Sequence, residues 1–356
     1  MAHPSPSPAR PLRIVIADDS GFMRKMLADA LANQGFEVVA SACNGDEALA
    51  VCTALRPDVL TLDLAMPGLD GIGVLRALRD TASPIPVVVV SAFSPAHGAR
   101  AVDALAEGAV ELVAKPSVAN TATDFFGELG DKVRAAAASR RSPRLAATAP
   151  AASYIPFTPP PARPVTGVRI RRTVVIACST GGPRALSELL PMLPARLGDG
   201  MLIVQHMPAG FTSSLATRLD AASRLHVVEA AGNESLDPGT ALLAPGGLHL
   251  RLDPRNHSRL SDEAEIGGLR PRADLTIADA AKAFGARTLL VVLTGMGKDG
   301  LEGARAVRAA GGRILVEAES TCTVYGMPRA ISEAGLADAE LPLPELAAAI
   351  VMEAGS

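Results

Sequence analysis

Apolar residues along the chain gather into short, nearly unbroken runs that alternate with longer amphipathic stretches. The runs Arg13–Ala17, Glu37–Ala40, Val59–Leu62, Val87–Val90 and Glu111–Ala114 predict strands, and Phe22–Asn33, Gly45–Leu55 and Gly71–Asp80 predict helices between them. Strands that are apolar on both faces and separated by helices predict a parallel sheet covered on two sides. Five of them within residues 12–138 match the smaller doubly wound folds. The alternation returns at Thr173–Cys178 and continues through Met201–Gln205, Thr240–Ala244, Thr288–Leu293 and Arg313–Val316, without repeating the first pattern. Residues 139–171 are rich in Pro, Ala, Ser and Arg and have no period, which predicts an extended connector. The expected division is therefore 1–138, 139–171 and 172–356. The expected fold class is α/β, with two doubly wound parallel-sheet domains.

Composition narrows the function. Of 356 residues, 48% are hydrophobic and 20% charged, enough for two cores and too apolar for disorder to dominate. A net charge of −3, 3% aromatics and no Trp give no footprint for nucleic acid. Cys43, Cys52, Cys178 and Cys322 form no C-x-x-C pair, so neither a disulfide framework nor a structural zinc site is expected. The segment MAHPSPSPARPLR lacks the apolar core of a signal peptide, and no apolar run approaches the length of a membrane span. A cytoplasmic protein without membrane insertion is expected.

In open parallel sheets functional groups collect at the carboxyl ends of the strands. In the first half those ends carry Asp18 and Asp19, then Asp63, then Ser91, then Lys115 with Pro116. Taken singly, Asp19 or Ser20 caps a helix and Asp63 opens a loop. Together, three carboxylates on one edge repel unless a hard cation such as Mg²⁺ neutralises them. A carboxylate beside Mg²⁺, a hydroxyl and an ammonium is placed to accept a phosphoryl group. The motifs Asp18-Asp19-Ser20, LDLAMPGLDGI around Asp63, Ser91-Ala92 and Lys115-Pro116 resemble those of response-regulator receiver domains, whose fold is flavodoxin-like. The resemblance implies Asp63 as phosphoacceptor, with Mg²⁺ held by Asp18, Asp19, Asp63 and the Ala65 carbonyl. It also implies Ser91 and Lys115 as phosphoryl contacts. Leu112 stands where such domains often carry an aromatic switch residue.

The second half has three strand-end motifs: Ser179-Thr180-Gly181-Gly182-Pro183, Gln205-His206-Met207-Pro208, and Thr294-Gly295-Met296-Gly297-Lys298-Asp299-Gly300. Ser, His and Asp, each ending a different strand, form the set that acyl transfer uses: a hydroxyl, a base and an orienting carboxylate. Alone, Ser179 reads equally as a helix cap or a phosphate-loop hydroxyl, and His206 as a structural histidine. Cys178, a rival nucleophile, closes an apolar strand and reads as a small buried residue. Gly295, Gly297 and Gly300 also spell G-x-G-x-x-G, with Glu317 near the spacing of a ribose ligand, so a nucleotide-dependent oxidoreductase competes. Against it, Asp299 puts a negative charge inside a loop meant for pyrophosphate. A receiver fused to a catalytically dead scaffold is a third class.

The segments STGGP, VQHMP and TGMGKDG, with CTVYGMP at 322–328, resemble the catalytic domain of chemotaxis protein-glutamate methylesterases, which is Rossmann-like. With the receiver in front, the resemblance spans both domains. It implies hydrolysis of glutamate methyl esters on the cytoplasmic domains of methyl-accepting chemoreceptors, deamidation of particular glutamines, and a histidine kinase as phosphodonor. Ser179 is then the nucleophile, His206 the general base and acid, and Asp299 the orienting carboxylate, with the neighbourhoods of Thr180 and Met296 stabilising the oxyanion. The ester site needs no cofactor, and Mg²⁺ belongs to the receiver. The residues by themselves reach only as far as a serine acyl hydrolase. An unphosphorylated receiver that covers the Ser179 cleft, released by phosphorylation of Asp63, is the expected regulation. The sequence departs from the common pattern at Pro271-Arg272-Ala273-Asp274, usually Pro-Ser-Val-Asp, at Cys322-Thr323, where serine is common, and at Ala65, often glutamate.

Overall fold

A computed structural model describes residues 10–79, 81, 84–92, 95–116, 122–139 and 171–355. The expected connector 139–171 lies outside the described residues except for Ser139 and Arg171, and so does the tail 1–9. The chain forms two compact units, one built on each of its larger sheets.

The first stretch of the chain, residues 10–139, contains β1 (Arg13–Ala17), α1 (Gly21–Asn33), β2 (Glu37–Ala42), α2 (Gly45–Leu55), β3 (Val59–Leu62), α3 (Gly71–Arg79), β4 (Val87–Ser91), α4 (Pro95–Ala106), β5 (Glu111–Ala114) and α5 (Ala122–Ser139). Its strands are all parallel, in the order β2-β1-β3-β4-β5. Helix starts follow local chemistry. The Ser20 hydroxyl accepts the Met23 N–H at 3.3 Å and the Asn44 side-chain Oδ1 accepts that of Glu47 at 2.9 Å, each closing an orphan amide of the first turn. Leu27 and Leu31 of α1 and Leu129 and Val133 of α5 bury against Ile14, Ile16, Val88 and Val113. Side chains of this kind contribute about 1.5–3 kcal/mol each when fully buried.

The second contains β6 (Thr173–Cys178), α6 (Gly182–Leu189), β7 (Met201–Gln205), α7 (Thr212–Ala222), β8 (His226–Glu229), β9 (Thr240–Leu243), β10 (His249–Leu252), β11 (Ser258–Ser261), α8 (Ala273–Phe284), β12 (Thr288–Val292), α9 (Leu301–Ala309), β13 (Arg313–Glu317), α10 (Met327–Glu333), β14 (Ala339–Leu341) and α11 (Leu343–Ala354). Seven parallel strands run β14-β13-β12-β6-β7-β9-β8, and β10 and β11 form an antiparallel hairpin outside that sheet. The chain leaves β6 toward β7 and later returns to β12 on the other side of β6. The strand order thus reverses at β6, and the loops after β6, β7 and β12 open at one point, where α/β sheets place their ligands.

The expected strands recur with ends moved by at most two residues, and both sheets are parallel as expected. Four strands carry no sequence signal. HVVE, HLRL, SRLS and AEL are short and half polar, and β8 and β14 lie at sheet edges, where one side needs no apolar cover. Among the described residues no helix is long and apolar enough to cross a membrane.

Helices α8 and α9 cover one face of the second sheet and meet at a glycine. A Cβ on Gly303 would stand 2.6 Å from the Ile277 Cβ, and the Gly303 N–H donates to Asp274 Oδ1 at 2.9 Å. Helix propensity favours a side chain over Gly by about 1 kcal/mol, but the close approach forbids one. Gly303→Val is expected to lower the stability of the second unit by about 2 kcal/mol. Ile277→Ala should recover part of the loss in the double variant, read by thermal melting.

Candidate active site

At the carboxyl edge of the first sheet, Asp18, Asp19 and Asp63 bring one carboxylate oxygen each within 4.8 Å of one another. Lys115 Nζ lies 2.8 Å from both Asp18 Oδ2 and Asp63 Oδ2. Strand pairing sets the spacing: the Asp63 N–H donates to the Ala17 carbonyl and that of Lys115 to the Ser91 carbonyl. Burial raises the Asp18 pKa above the usual carboxylate range in spite of Lys115. Burial lowers the Lys115 pKa, yet the two aspartates outweigh it and leave the ammonium harder to deprotonate than usual. The Ser91 hydroxyl is buried and bonded to nothing. An orphan hydroxyl beside crowded carboxylates and an ammonium is the donor set of a cation and a tetrahedral oxyanion. Leu112, at the expected switch position, is buried in β5, and its carbonyl accepts Lys132 Nζ at 2.7 Å.

In the second sheet, register does the first part of the assembly. Cys178 pairs with Gln205 across β6 and β7, which sets Ser179 beside His206 at the strand ends. Gln205 then fixes both turns, because its Nε2 donates to the Ser179 carbonyl at 3.0 Å and to the His206 carbonyl at 2.9 Å. Its Oε1 accepts the Cys178 thiol at 3.1 Å. Cys178 is fully buried, and burial drives its pKa far above an ordinary thiol's, so it is no nucleophile. Ser179 is only half-buried and stands just ahead of α6. The turn needs Gly181, at φ 80°, where a Cβ would also lie 2.4 Å from that of Thr323.

Asp299 completes the set. His206 Nε2 donates to Asp299 Oδ2 at 2.8 Å, which leaves Nδ1 buried and unpartnered. The same Oδ2 accepts the Ala273 N–H at 2.7 Å, while Oδ1 accepts those of Asp274 at 3.0 Å and Gly300 at 2.9 Å. Arg272 Nε forms an ion pair with Oδ1 at 2.9 Å. Burial pushes the Asp299 pKa up, but the His206 bond and the backbone amides more than offset it and hold the carboxylate far below its usual range. The side chain is 1% exposed, so the charge is buried and fully paired.

Thr294 ties Ser179 to the loop that follows β12. Its carbonyl accepts the Ser179 N–H at 3.0 Å, its hydroxyl donates to the Thr180 carbonyl at 2.9 Å, and its N–H donates to Glu317 Oε2 at 2.8 Å. Gly295 lies so close to Ser179 that a Cβ there would stand 2.9 Å from the serine Cβ. Met296, next in line, is 41% exposed on the rim.

These contacts dispose of the dinucleotide reading. Glu317 is fully buried beneath the loop, pushed up to about 6 by burial, and occupied with a backbone amide rather than facing a ribose. The anion position at the start of α9 is filled by the chain's own Asp299 and Asp274, which accept from Gly300 and Gly303. The sequence singles out Ser179, His206 and Asp299 but gives no role to Gln205, Arg272 or Asp274. Gln205 had a signal: it is the polar residue closing an otherwise apolar strand, directly before His206.

Known proteins agree with both units. The model of the CheB methylesterase family matches residues 174–350, and that of the response regulator receiver domain matches residues 14–124. A protein-glutamate methylesterase/protein-glutamine glutaminase of Myxococcus xanthus is 44% identical over 340 residues, covering 94% of this chain and 95% of its own. One of Thermotoga maritima is 40% identical over 339 residues, covering 94% and 96%. The crystal structure of the Thermotoga maritima CheB methylesterase catalytic domain superposes with a TM-score of 0.50 at 42% identity, over 51% of this chain and 98% of that one. The chain belongs to the CheB methylesterase family and carries a response regulator receiver domain ahead of its methylesterase domain.

Proposed function

We propose that the protein is a serine hydrolase that removes methyl groups from glutamate esters on the cytoplasmic domains of chemoreceptors, and deamidates selected glutamines there. The observation that carries it is the His206–Asp299 pair at 2.8 Å, joined by sheet register to a half-buried Ser179. In this reading His206 Nδ1 takes the Ser179 proton as Oγ attacks the ester carbonyl, and Asp299 steadies the imidazolium that forms. The oxyanion falls among the backbone N–H groups around Thr180 and Met296, at the positive end of α6. His206 then returns the proton to the leaving methoxide, releasing methanol. A water, deprotonated by the same base, hydrolyses the acyl-enzyme to the free glutamate. Ammonia leaves in place of methanol when the substrate is a glutamine. This chemistry uses side chains and backbone amides alone.

The first domain is proposed to control the second. Asp63 accepts a phosphoryl group from a histidine kinase, with Ser91 and Lys115 contacting it. Asp18, Asp19, Asp63 and the Ala65 carbonyl would hold Mg²⁺, which would neutralise the charge that gathers there. The crowded carboxylates and the orphaned Ser91 hydroxyl support this assignment. Unphosphorylated, the receiver holds esterase activity down. Phosphorylation shifts that balance by a few kcal/mol, a range open to one new dianionic group. With Leu112 buried in β5, the change passes through groups other than a flipping aromatic at that position.

Methanol released from a methylated chemoreceptor fragment checks the catalytic assignment. Ser179→Ala is expected to lower the rate by at least about 10³-fold, and Asp299→Asn by a comparable factor through the wrong imidazole tautomer. Near-normal release from Ser179→Ala would remove the reading. The same assay checks control. A small-molecule phosphodonor with Mg²⁺ should raise the wild-type rate and leave Asp63→Asn at its basal level. Chelating Mg²⁺ should abolish the rise and spare the basal rate. Deleting residues 1–138 should raise basal release, and a folded fragment with unchanged or lower activity would exclude inhibition by the receiver.

A further inference from the structure

We infer that Tyr325 is a positioning residue: its hydrogen bond to Glu340 on the edge strand β14 holds the segment that aims the Met296 N–H at the oxyanion. The inference rests on the serine-hydrolase reading proposed above. It gives a task to the motif at 322–328, which that reading leaves unused.

Gly295 is gripped by the residues on either side of Tyr325. Its N–H donates to the Val324 carbonyl at 3.0 Å, and its carbonyl accepts the N–H groups of Gly326 at 3.1 Å and Met327 at 2.9 Å. Residues 295 and 325 thus pair as an isolated parallel bridge. In a planar trans peptide the carbonyl of one residue and the N–H of the next point in opposite directions. Fixing the Gly295 carbonyl on residues 326 and 327 therefore fixes the direction of the Met296 N–H, away from that segment. The fit is close, since a Cβ on Gly326 would stand 2.6 Å from the Gly295 oxygen. The same segment reaches the serine turn. The Val324 N–H donates at 2.9 Å to Thr294 Oγ1, the hydroxyl that bonds the Thr180 carbonyl, and Thr323 occupies the space where Gly181 would carry a Cβ.

One carboxylate anchors this segment to the sheet. Glu340 Oε1 accepts the Tyr325 hydroxyl at 2.8 Å, and Oε2 accepts the Ser332 hydroxyl of α10 at 2.6 Å. Strand pairing sets Glu340 itself opposite Val316 of β13. The carboxylate therefore joins the loop that enters α10 to the last turn of that helix, and both to β14. Tyr325 and Glu340 are each half-buried. Burial and the Glu340 bond raise the phenol's pKa above its ordinary value, so the hydroxyl remains a donor at neutral pH. Without that bond the loop keeps its backbone contacts to Gly295 but loses its side-chain tie to the sheet edge, and the peptide it grips is freer to turn.

The test compares two probes of Ser179 in the full-length protein at one neutral pH, a fluorophosphonate and its P=S counterpart. Both phosphonylate the serine with loss of fluoride, and neither needs a receptor. The P=O oxygen takes the place of the oxyanion and is a far stronger hydrogen-bond acceptor than sulfur. Tyr325→Phe removes one hydroxyl and is expected to lower the limiting labelling rate with the P=O probe about tenfold, with the saturation constant within about twofold. The P=S probe gains little from the donor and should lose no more than about twofold. Glu340→Gln keeps an acceptor for the phenol and should hold the wild-type ratio of the two rates. Glu340→Ala should act like Tyr325→Phe, and the double variant should fall no further than the slower single one. Should Tyr325→Phe fail to fold, Glu340→Ala is read in the same way. Wild-type rates in Tyr325→Phe, equal losses with both probes, or losses that multiply in the double variant overturn the inference and leave the proposed triad standing. Wild-type protein without Ser179-dependent labelling overturns the serine-hydrolase reading and this inference together.

Discussion

Asp299 is a buried negative charge, and the catalytic half of the molecule is arranged to make it tolerable. An unpaired carboxylate at that depth would cost several kcal/mol. The chain supplies three backbone amides, an imidazole and a guanidinium instead. The five donors come from three pieces of the fold: the start of α8, the start of α9 and the end of β7. Satisfying one charge therefore fixes where two helices begin relative to the sheet. The close seating of α9 on α8, with Gly303 against Ile277, follows from the same demand, because the amides of Gly300 and Gly303 also reach Asp274. Position and chemistry are thus one constraint: the carboxylate that orients His206 also organises the packing around it.

The receiver half handles carboxylates in the opposite way. Asp18 and Asp63 share one ammonium, from Lys115, with the Asp19 carboxylate beside them, and the Ser91 hydroxyl is without a bond. Asp299 has every acceptor position occupied, whereas the receiver cluster has too few donors for its charges. Complete satisfaction suits a group that must stay ionised and still through a reaction cycle. Incomplete satisfaction is what the proposed cation and phosphoryl group would relieve.

Much of this was legible in the sequence. Short, β-branched apolar runs such as TVVIAC and VLTL, set between amphipathic helices, read as strands covered on both faces, and from that the parallel sheets and their carboxyl edges follow. Once the edges are known, Asp18, Asp63, Lys115, Ser179, His206 and Asp299 stand out by position. What stayed hidden depends on long-range contact. HLRL and SRLS show too little apolar character to announce the β10–β11 hairpin, yet β10 supplies His249, whose Nδ1 receives the Arg272 amide. Arg272 was visible only as a departure from a pattern. Nothing local says that a side chain 27 positions before Asp299 lies 2.9 Å from it.

The most instructive ambiguity was the loop from Gly295 to Gly300. Its spacing is that of a pyrophosphate cradle, it follows a strand and it opens a helix. Spacing alone cannot separate the two uses, since both want a backbone free to turn sharply and a helix N-terminus rich in unpaired amides. The sign of the charge inside the loop separates them. A cradle for a diphosphate must keep its amides for the ligand, and an aspartate among them would repel it. Here Asp299 and Asp274 take those amides for themselves, which turns an anion-binding terminus into a mount for the carboxylate that binds His206. Helix dipole and glycine turn serve equally in either role, and a single residue at the centre of the loop decides which chemistry the sheet edge supports.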